Sequence, residues 1–153
     1  MTDFTKARAL ALIIPGALMA GALGSQYIGG LVPCEMCLWQ RWPHYAAIGL
    51  AALAFAVPQR ALVCLAVLAI LISGGIGIFH AGVEYKWWEG LTQCSQIPGA
   101  SNSGNILADI MKTPLVRCDQ AQWSLFGISL AGYNAIISIA GALLVTRLLM
   151  RKN

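Results

Sequence analysis

The stretch ALVCLAVLAILISGGIGIFHAGV, residues 61–83, decides the fold. It holds no Asp, Glu, Lys or Arg over 23 positions, and about 20 helical residues cross a hydrocarbon layer roughly 30 Å thick. Its residues show no period-two alternation, so it does not read as a strand of a membrane barrel. Helices are the other spanning solution, because each backbone polar group must then find its partner within the chain. Three more charge-free runs repeat the pattern, at 9–34, 42–59 and 120–146. The second is the least comfortable, since its clearly apolar part from Trp42 to Val57 needs its flanks to complete a span. The whole chain is 58% hydrophobic and 10% charged, with a mean hydropathy of +0.70, outside the balance of a soluble domain.

These runs predict an all-α, membrane-embedded four-helix bundle with up-down-up-down order. It forms one integral membrane domain over 1–153, with helices near 9–28, 41–58, 61–80 and 125–146. The first run follows Lys6 and Arg8 and ends among small residues, as a signal peptide does. Its apolar stretch continues through Tyr27 and Ile28, beyond the roughly 7 to 15 residues of a signal core, so it is expected to stay.

Four helices give the chain two faces. One carries Lys6, Arg8, Arg60, Arg147, Arg151 and Lys152 against Asp3 alone. The other carries Arg41, Lys86, Lys112 and Arg117 against Glu35, Glu84, Glu89, Asp109 and Asp119. The excess of basic residues on the first face places both termini in the cytoplasm. The net charge of +4 is thus topological. No nucleic-acid surface and no phosphate-binding glycine motif is present, and Gly74, Gly75 and Gly77 read as points of close helix approach.

The connection around Pro58 is short enough to force a helical hairpin. Residues 81–124 instead form a long extracytoplasmic loop, and loops of that length usually carry function. Within it, SNSGNILADIMKTP (101–114) sets Ile106, Leu107, Ile110 and Met111 at helical spacing before Pro114. That pattern fits a short helix, either at the membrane surface or packed in the loop.

Topology sorts the five cysteines. Cys64 lies toward the cytoplasm and reads as a small buried residue. Cys34, Cys37, Cys94 and Cys118 share the outer face, where disulfides form and persist. Structural bridges would explain a Cys94–Cys118 pair, but closing the small ring between Cys34 and Cys37 removes little chain entropy. A C-x-x-C pair suits thiol–disulfide exchange, because either sulfur can resolve a mixed disulfide formed at the other. The four thiols could alternatively hold zinc.

Arg41 adds specificity. A cation at the membrane boundary pairs, snorkels or serves a site. If the segment after Cys37 is helical, Arg41 lies one turn further along the same face, where its charge and the helix N-terminus favour a thiolate at Cys37. Pro43 stands against a regular helix there, since its ring clashes with the carbonyl of Trp39. His80, at the outer end of helix three, is expected with Arg41 at one interhelical pocket beside Cys37. Glu84 is a weaker candidate, and Trp39 and Tyr45 are possible pocket linings.

The segments PCEMCLWQRWPHY (33–45), GIFHAGVEYKWWEG (77–90) and CDQAQWSLFGISLAGYN (118–134), in this order among four apolar runs, resemble the DsbB family of disulfide-bond formation proteins. Nearly the whole chain takes part in the resemblance. The related vitamin K epoxide reductases carry their membrane C-x-x-C late in the core domain, whereas here it follows helix one.

The resemblance implies a protein-disulfide oxidoreductase of the bacterial inner membrane, with its redox cysteines facing the periplasm. It would reoxidise a DsbA-like thioredoxin-fold oxidase and pass electrons to the membrane quinone pool, ubiquinone or menaquinone. It implies that Cys94 and Cys118 form the disulfide that the soluble partner attacks at Cys94. Cys118 would then attack Cys34, and Cys37 would leave as a thiolate facing the quinone. Arg41 would stabilise charge on a quinone oxygen, and His80 would hydrogen-bond the quinone or deliver a proton.

Overall fold

A computed structural model of the chain describes residues 2–91 and 116–151. Four helices are described: α1 (Asp3–Tyr27), α2 (Glu35–Ala56), α3 (Arg60–Glu84) and α4 (Leu130–Met150). Three of them, α1, α3 and α4, are long and apolar enough to cross a membrane. The first part of α2 is too polar for that, because Glu35, Gln40, Arg41 and His44 all fall within its first three turns.

The helix ends follow local chemistry. Thr2 caps α1 by accepting the backbone N–H of Thr5 at 3.2 Å, and Asp3 in the first turn complements the helix dipole. The chain leaves α1 through Gly29 and Gly30, the latter at φ +69°. Helix α2 runs unbroken through Pro43. The proline therefore withholds one backbone bond without ending the helix, whose face is held by packing along α3.

Helix four, expected from residue 125, begins at Leu130. Ser124–Leu125 (β1) and Ile128–Ser129 (β2) form a two-stranded hairpin in the register Ser124↔Ser129 and Leu125↔Ile128. Its turn needs positive φ at both central residues, and Phe126 (51°) and Gly127 (77°) supply it. Ser129 then caps α4 through the N–H of Gly132.

Each helix packs on the next, α1 also packs on α4, and α1 and α3 meet only sparingly. Small residues let the backbones approach. A Cβ on Gly77 would lie 3.0 Å from the carbonyl oxygen of Ala131, and one on Gly74 would lie 3.1 Å from Cβ of Ser138, whereas Gly75 meets nothing.

The core divides in two. One cluster gathers Ala7, Ala11, Ala47, Ala51, Ala54, Val63, Ala66, Val67, Ala69, Ile70, Ala142 and Val145. The other gathers Cys34, Met36, Val83, Val116 and Cys118 at the opposite end of α2 and α3. Cys64, expected to be buried, is exposed on the outer surface of α3. Cys94 and the short helix expected within 101–114 lie outside the described residues.

Candidate functional site: a thiol pair at the mouth of an apolar cavity

Pro33 precedes Cys34, which has extended backbone and caps α2. The Cys34 sulfur accepts the backbone N–H of Cys37 at 3.3 Å, as a serine oxygen would at a helix start. The C-x-x-C spacing therefore sets the first sulfur at the cap and the second cysteine on the first turn. Both sulfurs then sit at the positive end of the helix. They lie 2.9 Å apart, with the Cys34 thiol donating to Cys37. That bond, and then burial, pushes the pKa of Cys34 up. Its proton is held between the sulfurs, and the negative charge of a singly ionised pair belongs on Cys37.

Arg41 lies one turn beyond Cys37 in an unbroken helix, but its head turns toward α1. There Nη1 donates to Oε1 of Gln26 at 2.6 Å and Nη2 to the carbonyl of Ala22 at 3.3 Å. Two oxygen acceptors on the facing helix outcompete a sulfur on its own helix.

His80 is 1% exposed. It lies near Cys37, as expected, and against Cys34: its Nε2 lies 3.6 Å from the Cys34 sulfur and 3.7 Å from Oε1 of Glu84, and the Cys118 backbone hydrogen-bonds the ring.

Cys118 is 2% exposed and packs in the cluster that holds Cys34. Its segment is pinned from both sides. Gln122 donates to the carbonyl of Val32 at 2.6 Å, while Asp119 bonds Arg117 and Lys86. Arg117, and then Lys86, hold the Asp119 carboxyl well below the usual carboxylate range. Tyr85 ties the end of α3 to the hairpin, donating to the carbonyl of Gly127 and accepting the N–H of Ser129.

Four residues that sequence reasoning passed over, Gln40, His44, Ser73 and Asn134, join α2, α3 and α4 behind this site. Asn134 Nδ2 donates to Oε1 of Gln40 at 2.8 Å, and to both the carbonyl and the hydroxyl of Ser73. His44 Nε2 lies 2.8 Å from Oδ1 of Asn134 and 2.9 Å from Oγ of Ser73. Ser73 in turn donates to the carbonyl of Gln40. Their signal lies in the i, i+4 spacing of Met36, Gln40 and His44, which puts two polar side chains on the buried stripe of α2.

A cavity of about 300 Å³ opens against these groups. Leu18, Ala22, Leu130 and Ile137 contribute apolar walls, and Cys34, Cys37, Arg41, His44, His80 and Glu84 contribute polar lining. Its size is at the lower end of the range of small-molecule sites. Trp39 and Tyr45 are not among its lining and stand 40% and 47% exposed on the outside. Cys34, Cys37 and His80 also offer three metal-ligand atoms within 4.8 Å of one another.

The fold and the site define a helical membrane protein with a close thiol pair at an apolar cavity. The family model for disulfide bond formation protein DsbB matches residues 5–148, and the chain belongs to that family. Disulfide bond formation protein B of Verminephrobacter eiseniae is 32% identical, over 97% of this chain and 89% of that protein. The protein of the same name from a Polaromonas species is 26% identical, over 95% and 94%. An uncharacterized Rickettsia prowazekii protein, RP370, is 25% identical over 75% of this chain and 70% of its own. No solved structure matches the chain significantly. Family membership assigns a disulfide-forming oxidoreductase role, and it does not favour the four-cysteine zinc alternative.

Proposed function

We propose that this protein is a quinone-dependent thiol oxidase that reoxidises a periplasmic DsbA-like dithiol protein. One observation carries the reading: Cys34 and Cys37, 2.9 Å apart, stand at an apolar cavity that Arg41 also lines, while Cys118 is buried in the cluster around Cys34. The four helices cross the bacterial inner membrane up-down-up-down, with both termini cytoplasmic and the redox cysteines Cys34, Cys37, Cys94 and Cys118 on the periplasmic side. The charge asymmetry supports that orientation. So does the meeting of Thr2, Asp3, Arg60 and Arg151 at one end of the bundle, away from Cys34, Cys37 and Cys118.

The chain's residues act in order. The partner's thiolate attacks Cys94 in a Cys94–Cys118 disulfide, and Cys118 leaves as a thiolate. Cys118 attacks Cys34, the Cys34–Cys37 bond breaks, and Cys37 departs carrying the electron pair at the helix N-terminus. A flat ring with polar edges would be held by Leu18 and Ala22 of α1 and Leu130 and Ile137 of α4, which line the cavity with apolar groups, and by Cys37 and Arg41, which add polar lining. A quinone held there supplies a two-electron acceptor. Arg41, anchored by Gln26 and Ala22, keeps a fixed positive charge at the cavity wall.

Purified protein should therefore oxidise a reduced thioredoxin-fold dithiol partner while reducing added ubiquinone or menaquinone. Cys37→Ser should stop quinone reduction altogether, a loss on the order of a thousandfold or more, as expected when a covalent nucleophile is removed. Turnover that persists in the variant sinks the assignment.

A further inference from the structure

The buried hydrogen bonds behind the thiol pair have one consistent direction. Gln40 Nε2 lies 3.2 Å from the carbonyl oxygen of Met36, and Asn134 Nδ2 lies 3.2 Å from the carbonyl oxygen of Ser73. A backbone carbonyl only accepts, so each contact fixes which end of the amide is nitrogen. The rest follows. Gln40 Nε2, 2.8 Å from His80 Nδ1, must donate to it. A ring nitrogen that accepts carries no proton, so His80 is neutral with its hydrogen on Nε2. Asn134 donates to Oε1 of Gln40, and its own Oδ1 accepts from Nε2 of His44. Each donor in the series His44, Asn134, Gln40 and His80 points toward the next group, and the series ends on the Cys34 side of the site.

We propose that Gln40 and Asn134 are positioning residues that lock His80 into the Nε2–H form, so that it presents a donor to the Cys34 sulfur. The groups facing the ring agree with a donor on Nε2: the Cys118 backbone hydrogen-bonds the ring, and the Cys34 sulfur at 3.6 Å and Oε1 of Glu84 at 3.7 Å border that nitrogen. The lock matters when Cys34 is the leaving group. An incoming thiolate bonds to the sulfur joined to Cys34, the old S–S bond breaks, and Cys34 departs with the electron pair. The ring N–H then meets a new negative charge in a water-poor site, and aligned hydrogen bonds behind it strengthen the donation. Of the pair, Cys37 is the more exposed residue and Cys34 is buried, so a small external thiol is expected at Cys37, expelling Cys34.

In the thiol-oxidase reading this step falls where Cys94 attacks Cys118 in the Cys34–Cys118 bond and expels Cys34, so its importance to turnover rests on that reading; the lock itself does not. The chain has only two histidines, so ring-nitrogen NMR of histidine-labelled protein reads both tautomers once His44→Gln assigns the signals. Wild-type protein should show His80 with a protonated Nε2 and a bare Nδ1. Gln40→Glu offers Nδ1 an acceptor in place of a donor, and should move the proton to Nδ1. Reduction of the Cys34–Cys37 disulfide by dithiothreitol, with no quinone present, should then slow about tenfold, the scale of one hydrogen bond to a charged atom. A bare Nε2 in the wild type overturns the proposal, and that measurement needs no variant to fold. An unchanged reduction rate in Gln40→Glu with Nδ1 protonated also overturns it. Neither readout involves quinone, so a failure to reduce quinone would count against the functional reading and leave the lock standing.

Discussion

The two ends of the bundle are built from the same helices on opposite principles. Around Ala7, Ala51 and Val145 the core is almost wholly small and apolar. Around Cys34, His80 and Asn134 the same helices bury five polar side chains besides the thiols: Gln40, His44, Ser73, His80 and Ser138 are each under a tenth exposed. In a membrane the hydrophobic effect does not press helix against helix, and close contact between small residues takes over that role. Polar groups are costly there and mark function. The difference teaches where this fold spends its stability: one end holds the helices together, and the other holds atoms in chemical order.

The comparison breaks if polar truncation at the cysteine end costs nothing. Asn134→Leu removes partners from Gln40, Ser73, His44 and Ser138 at once. It should destabilise the protein on the order of 3 kcal/mol in SDS-driven unfolding from detergent, and it should reduce thiol-oxidase activity even in the fraction that stays folded. Wild-type stability in this variant would mean that the polar contacts are incidental.

At the opposite end, Ala51→Leu adds volume at a position with no exposed surface. Overpacking should cost about 2 kcal/mol, while turnover per folded molecule stays at the wild-type level. A specific loss of turnover would show that the two ends are coupled.

Arg41→Lys sharpens the comparison within the cysteine end. Lysine keeps the charge but cannot hold Gln26 and the Ala22 carbonyl with a planar fork. The expected result is a KM for quinone raised about tenfold with a smaller change in kcat. Cys64→Ser, on the outer surface of α3, should move stability by less than about 0.5 kcal/mol and leave turnover unchanged. A redox defect in this last variant would add a fifth thiol to the mechanism.

Much of the architecture was legible because its causes are local. Four charge-free runs mark four helices, and Pro58 marks the short turn between α2 and α3. The start of α4 is not legible in the sequence because Gln120 to Ser129 lacks charge, as a membrane span does, while Phe126 and Gly127 turn the chain into a hairpin. The start of α2 was placed too late because Cys34 is an unusual cap, and only the sulfur's contact with the Cys37 N–H reveals it. Pro43 suggested a break, yet one withheld bond does not undo a helix of 22 residues packed along its neighbour.

A family, four helices with three of them apolar enough to cross a membrane, and a C-x-x-C pair with a cation one turn on are all written along the chain. All of these depend on spacing along one chain segment and on the cost of charge in lipid. Only the tertiary structure shows that Arg41 reaches Gln26, that His80 packs against Cys34, and that Gln40, Ser73, His44 and Asn134 meet. Each of those contacts joins residues from different helices. A hydrogen bond between helices depends on how the helices are rotated and spaced. No periodicity within a single segment records that.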